Sequence, residues 1–123
     1  MMHLKLKRVY DEAESADGAR FLVERLWPRG ISKERARLDL WLKDASPSPE
    51  LRAWYAHDTA KWEEFRRRYL AELAAKRQDL DPIRAAARAG TVTLVFATRD
   101  AERSSALVLK EFLEGEEEDR PRD

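Results

Sequence analysis

Apolar residues recur along this 123-residue chain in two rhythms, and the points where one gives way to the other mark out its elements. His3-Leu4-Lys5-Leu6-Lys7-Arg8-Val9-Tyr10 alternates, which predicts a first strand with one face on a core. Asp11 to Gly18 is acidic and small and ends in Asp-Gly, the composition of a loop or a single irregular helical turn. Phe21, Leu22, Val23, Leu26 and Trp27 form a β-prone run that predicts a strand in the middle of a sheet. Pro28 closes the run because proline has no N–H for a ladder, and Gly30 supplies a turn. Ser32 then suits the N-cap of a short helix, Lys33 to Arg37. Leu38 to Lys43 alternates only briefly, as a short strand or an extended loop would.

After Ser46-Pro47-Ser48-Pro49 the helical rhythm takes over. Ser48 offers a cap and Pro49 a first position whose missing N–H costs nothing, so a helix is predicted to about Ala56 with Leu51, Trp54 and Tyr55 on its apolar face. Asp58 is the predicted cap of a long helix, Thr59 to about Arg77, in which Trp62, Phe65, Tyr69 and Leu73 recur at steps of three and four. Asp81-Pro82 repeats the cap-then-proline signal for a helix ending near Ala89, where Gly90 stops it. Thr91 to Thr98 is the clearest strand, nearly all apolar or β-branched, and so is placed centrally with both faces covered. Asp100 is the predicted cap of the last helix, Ala101 to Glu114, and residues 115–123 read as an acidic, disordered tail. Strands alternating with helices predict one small three-layer α/β domain over residues 1–114, with a mainly parallel sheet flanked by helices.

Composition narrows the chemistry. The absence of Cys excludes disulfides, thiolate metal sites and a cysteine nucleophile, and it fits a reducing compartment. No apolar run reaches membrane-spanning length and no signal-peptide core is visible, so the expectation is a soluble cytoplasmic protein with no membrane partner. Net charge is zero, but residues 114–123 hold six acidic and two basic side chains, or −4, which leaves +4 on residues 1–113. That excess is small for a nonspecific nucleic-acid binder and better suited to a local anion site. Without Cys or a second His at ligand spacing, neither a metal site nor a cofactor is expected.

The residues Arg25-Leu26-Trp27-Pro28-Arg29-Gly30, then Trp41-Leu42-Lys43-Asp44, then His57-Asp58-Thr59-Ala60-Lys61-Trp62, resemble the short, YeaO-like branch of the bacterial DUF488 family. The resemblance runs from Leu4 to about Leu113. It implies a small cytoplasmic α/β domain and supplies no activity, because the family is uncharacterised. Family members often have Asp where this chain has Glu24, and an Asn- or His-containing pair at Ser104-Ser105. Longer relatives carry a Cys-His-Arg element in that last region, so cysteine-dependent chemistry does not transfer to this chain. Some members are labelled as MarR-type regulators, but no basic recognition helix followed by a wing hairpin is visible here.

In parallel sheets, sites gather beyond the carboxyl ends of the strands, and two loops have that place, Arg25 to Lys33 and Thr98-Arg99-Asp100-Ala101. If they meet, Arg25, Arg29, Lys33, Thr98 and Arg99 would hold a small anionic or nucleotide-like ligand, bound or transformed, with Trp27 as an aromatic wall. The bland alternative is a solvated basic rim or simple ion pairs. His57 and Asp100 are the candidate acid–base residues, each with a structural alternative as a helix joint and a cap, and Glu24 is a further acid near the pocket. A different class of function, a nucleic-acid-associated or regulatory module, would use Lys5, Lys7, Arg8 and Arg66 to Arg68 on phosphates. An interaction scaffold with no small ligand is a third. The oligomeric state is not legible.

Overall fold

The computed structural model describes residues 2–118. Four strands, β1 (Leu4–Arg8), β2 (Ala19–Leu22), β3 (Leu40–Trp41) and β4 (Val92–Phe96), form one sheet in the order β1-β4-β2-β3, with every pairing parallel. Leu4 lies opposite Val92 and Phe21 opposite Leu94. The strand predicted to be central is central, and all five of its residues are buried. The α-helices are α1 (Lys33–Ala36), α2 (Pro49–Tyr55), α3 (Trp62–Ala75), α4 (Asp81–Ala89) and α5 (Ser105–Glu118), which makes this the expected α/β fold. No helix of the described residues is long and apolar enough to cross a membrane.

The two faces of the sheet are covered unequally. Leu4, Phe21, Val92, Leu94 and Phe96 pack on Phe65, Tyr69 and Leu73 of α3, Ile83 of α4 and Leu109 and Leu113 of α5, the main core. On the other face Val9, Leu22 and Val95 form a smaller cluster with Ile31 and Ala36, covered by the partly buried Tyr10, Trp27, Leu38, Trp41 and Ala97. The rest of that face is polar. The Asp17 carboxylate takes Arg20 Nη1 at 2.6 Å and Lys7 Nζ at 3.0 Å, while Arg20 Nε and Nη2 donate to the Ala36 carbonyl at 3.1 and 2.8 Å. Burying these charges is tolerable because each is paired and hydrogen-bonded.

Several boundaries differ from expectation. β2 stops at Leu22 rather than running to Trp27, because its partner β3 is only two residues long and offers no ladder beyond Trp41. Asp58 accepts from Ala60 N at 3.1 Å and caps a 3-10 turn, Thr59–Lys61, from which α3 continues. Asp81 is no cap: a 3-10 turn over Arg77–Leu80 leads directly into α4, and Asp81 pairs with Arg84 at 2.7 Å. Asp100 does not cap the last helix either. It precedes a 3-10 turn, Ala101–Arg103, and pairs with Arg103 at 3.1 Å, while the hydroxyl of Ser104 accepts Leu107 N at 3.1 Å. α5 runs past Glu114 to Glu118, where Glu116 meets Arg77 at 2.5 Å and Arg84 at 2.7 Å. The remainder of the expected disordered tail, residues 119–123, lies outside the described residues.

Candidate functional site

Parallel strands deliver the residues that follow β1, β2 and β4 to one end of the sheet. Arg8, the last residue of β1, turns its guanidinium onto the end of β4, donating from Nε to the Thr98 carbonyl at 3.0 Å and from Nη2 to the Ala97 carbonyl at 3.1 Å. It also lies over the Tyr10 ring, 5.0 Å from the centroid. Arg8, Tyr10, Ala97, Thr98 and Arg99 wall an open hollow of about 550 Å³, within the range of small-ligand sites. Neither Arg8 nor Arg99 meets a carboxylate among the described residues, whereas Arg20, Arg66, Arg67, Arg68, Arg77, Arg84 and Arg103 all do.

The structure therefore brings Thr98 and Arg99 together, but with Arg8 and Tyr10 rather than with Arg25. Arg29 is exposed behind Tyr10, whose hydroxyl donates to the Arg29 carbonyl at 3.0 Å. Arg25 points to the other side of β2, where its Nε lies 3.4 Å from the Pro47 carbonyl, near the ammonium of Lys76. Trp27 is not a free wall. Because β2 ends early, the chain folds back, Trp27 Nε1 donates to the Ile31 carbonyl at 2.7 Å, and the ring packs edge-on against Trp41 with centroids 5.4 Å apart. Lys33 is the exposed first residue of the four-residue α1, and the Ser32 hydroxyl already takes the Arg35 amide.

On the β2 side of β4's end stands Glu24. Its Oε2 accepts Ala97 N at 2.9 Å, and its backbone carbonyl takes Trp41 Nε1 at 2.6 Å. Burial pushes the Glu24 carboxyl up from the ordinary value, more than the Ala97 amide and the nearby Arg52 and His57 pull it down. His57 follows Ala56 at the end of α2, and both hold left-handed backbone, φ 59° and 46°, an uncommon state for residues other than glycine. The imidazole is exposed, its ring centroid 6.3 Å from that of Tyr55. Burial likewise pushes up the Tyr55 hydroxyl, within reach of the charges of Arg103 and Asp100. The charge of His57 thus reaches Glu24, and the charge of Asp100 reaches Tyr55. Among the described residues no cluster of His, Asp and Glu is placed to hold a metal ion.

Sequence reasoning missed Arg8 and Tyr10 as lining residues of this hollow. The signal was available, since the rule that directs attention to residues after β2 and β4 applies equally to the third parallel strand. Arg8 was instead grouped with Lys5 and Lys7 as part of a basic strand face. Of that face, Lys7 is committed to Asp17 and Glu14, and Lys5 donates to the Ala16 carbonyl at 3.0 Å.

Comparison with known proteins gives a family. A family model described as "Inactive DUF488-N3 subclade" matches residues 3–123. The uncharacterised protein YeaO of Escherichia coli K12 is 42% identical over 112 residues, 91% of this chain and 97% of that protein. The uncharacterised proteins Rv3073c of Mycobacterium tuberculosis H37Rv and Mb3100c of Mycobacterium bovis are each 42% identical, over 91% of this chain and 94% of theirs. No solved structure matches.

Proposed function

The chain belongs to the DUF488 family, in a subclade described as inactive, and on that premise we propose that it is a binding domain for a small anionic, nucleotide-like ligand rather than an enzyme. The observation that carries this reading is the hollow at the carboxyl end of the sheet, where Arg8 and Arg99 face open space without carboxylate partners among the described residues. Arg8 is held by two carbonyls and a ring, so it needs little ordering to receive an anion. Arg99 supplies the second, more adaptable guanidinium, and the Thr98 hydroxyl adds a neutral donor.

The alternative, a nucleic-acid module, draws no support from its expected contacts. Arg66 pairs with Glu111, and Arg67 and Arg68 share Glu64, with Arg68 also 4.2 Å from the Trp54 ring. These charges are answered within the fold rather than offered as one basic face.

Thermal unfolding in sulfate, phosphate and a nucleotide panel tests the proposal. Ligand at about a hundred times its Kd stabilises by roughly 2.7 kcal/mol, an easily resolved rise in Tm. Arg99→Ala is expected to abolish the rise while leaving the ligand-free Tm unchanged, because Arg99 is exposed and makes no ion pair among the described residues. No rise with any anion, or a rise that Arg99→Ala leaves intact, would refute the site.

A further inference from the structure

We infer that the ligand of this site carries an N–H donor group beside its anion, and that the Glu24 carboxylate receives that donor. The inference rests on the anion reading above and deepens it. Only one oxygen of Glu24 is used: Oε2 accepts the Ala97 amide, while Oε1 has no hydrogen-bond donor among the described residues. Arg52 and His57 act on this carboxylate through their charge, but neither donates a hydrogen bond to it. Glu24 Oε1 is not among the described buried atoms that lack a partner, so solvent reaches it and it stands open to a donor group of a ligand.

Its position gives the acceptor a purpose. Ala97 follows the last residue of β4, and the two neighbouring strands seize its peptide groups from opposite sides. From β2, Glu24 takes the N–H at 2.9 Å; from β1, Arg8 takes the C=O at 3.1 Å. The carboxylate and the guanidinium that faces the hollow thus flank the same residue, Ala97, at the end of β4. A small molecule lying across the end of β4 would place its anion against Arg8 and Arg99 and an ammonium or amide N–H against Glu24 Oε1. The raised Glu24 carboxyl accords with this, because a cationic donor would relieve the cost of keeping a desolvated charge. A bare inorganic anion would fill only half of the arrangement.

A matched pair of esters separates the two halves. Ethyl phosphate and phosphoethanolamine share a phosphate and a two-carbon chain and differ in the ammonium group. They are titrated calorimetrically into the full-length protein at about pH 8, where carboxylates are ionised and the ammonium is retained. The expected result is roughly tenfold tighter binding of phosphoethanolamine, the scale of one charge-assisted hydrogen bond. In Glu24→Gln, which keeps a carbonyl oxygen for the Ala97 amide, ethyl phosphate should bind as before and the preference should shrink to about twofold or less. Equal affinities in the wild type, or an undiminished preference in Glu24→Gln, would overturn the inference while leaving the anion site standing. If neither ester binds, both readings fall. Should Glu24→Gln not fold, the carbon-13 shift of the wild-type Glu24 carboxyl decides: it should respond to phosphoethanolamine and not to ethyl phosphate, and an equal response would count against the donor arm.

Discussion

Gly18 sits at φ 65° where the loop before β2 passes so close to Thr91 that a Cβ would overlap the Thr91 carbonyl, the same carbonyl that accepts Ala19 N at 3.0 Å. Any side chain must either push β2 off β4 or strain the backbone. Gly18→Ala is therefore expected to cost about 3 kcal/mol, read as a lower urea midpoint with an unchanged m-value. The Asp-Gly pair was legible as a turn, but the approach of Thr91 from 73 positions further along the chain was not. Glu24 gives a second test at this scale. Its folded-state carboxyl is raised chiefly by burial, so its contribution is fully present below the unfolded value of about 4.3 and is lost as pH rises through the folded value. Relative to Glu24→Gln, which lacks the titration, the wild type should lose Tm as pH rises above about 4.3 and through the folded value. A constant difference over that window would show that the carboxyl is not raised.

Elements were best read where a cap is strictly local. Ser48 before Pro49 starts α2 as expected, with its hydroxyl accepting Leu51 N at 3.1 Å. What no local pattern could reveal is that Glu72 of α3 grips the same residue twice, taking Ser48 N at 2.9 Å and the Ser48 hydroxyl at 2.6 Å. This clamp ties the start of α2 to the middle of the chain, and Glu72→Ala should cost about 1–3 kcal/mol in denaturant unfolding. The last helix shows the converse. Asp100 and Ser104 are both good capping types, and only the intervening 3-10 turn decides for Ser104. Ser104→Ala should thus destabilise by about 1 kcal/mol, whereas Asp100→Ala should stay within about 0.5 kcal/mol. The reverse order would mean that α5 begins at Ala101.

Across the whole molecule the charges sort by location. Arg66, Arg67 and Arg68 on α3 and Arg84 on α4 are answered by carboxylates of α3, α4 and α5, and the buried Arg20 by Asp17, whereas Arg8 and Arg99 at the carboxyl end of the sheet meet no carboxylate among the described residues. Sequence order predicted the parallel sheet and directed attention to the β2 and β4 loops, yet which guanidinium groups share a hollow depends on strand order. Since β4 lies between β1 and β2, Arg99 meets Arg8 on one side, while Arg25 is carried off to the other. The Lys7–Asp17–Arg20 cluster, by contrast, closes over separations of ten and three positions. Burial pulls the Asp17 carboxyl up, but the Glu14 amide, Lys7 and Arg20 outweigh it and leave it below its ordinary value. Its stabilisation is present above about pH 3.9 and lost as pH falls through the lower folded value. Asp17→Asn should cost about 3 kcal/mol at neutral pH, and progressively less as pH falls below about 3.9 in a stability titration.

The most direct test of the account is a phosphate titration followed by backbone amide NMR on the full-length protein. Saturable shifts should gather at Arg8 to Tyr10 and at Ala97 to Arg99, with one Kd, and disappear in Arg99→Ala. Shifts gathered instead along Arg66 to Arg68 of α3, or none that saturate, would contradict the assignment of this end of the sheet as an anion site.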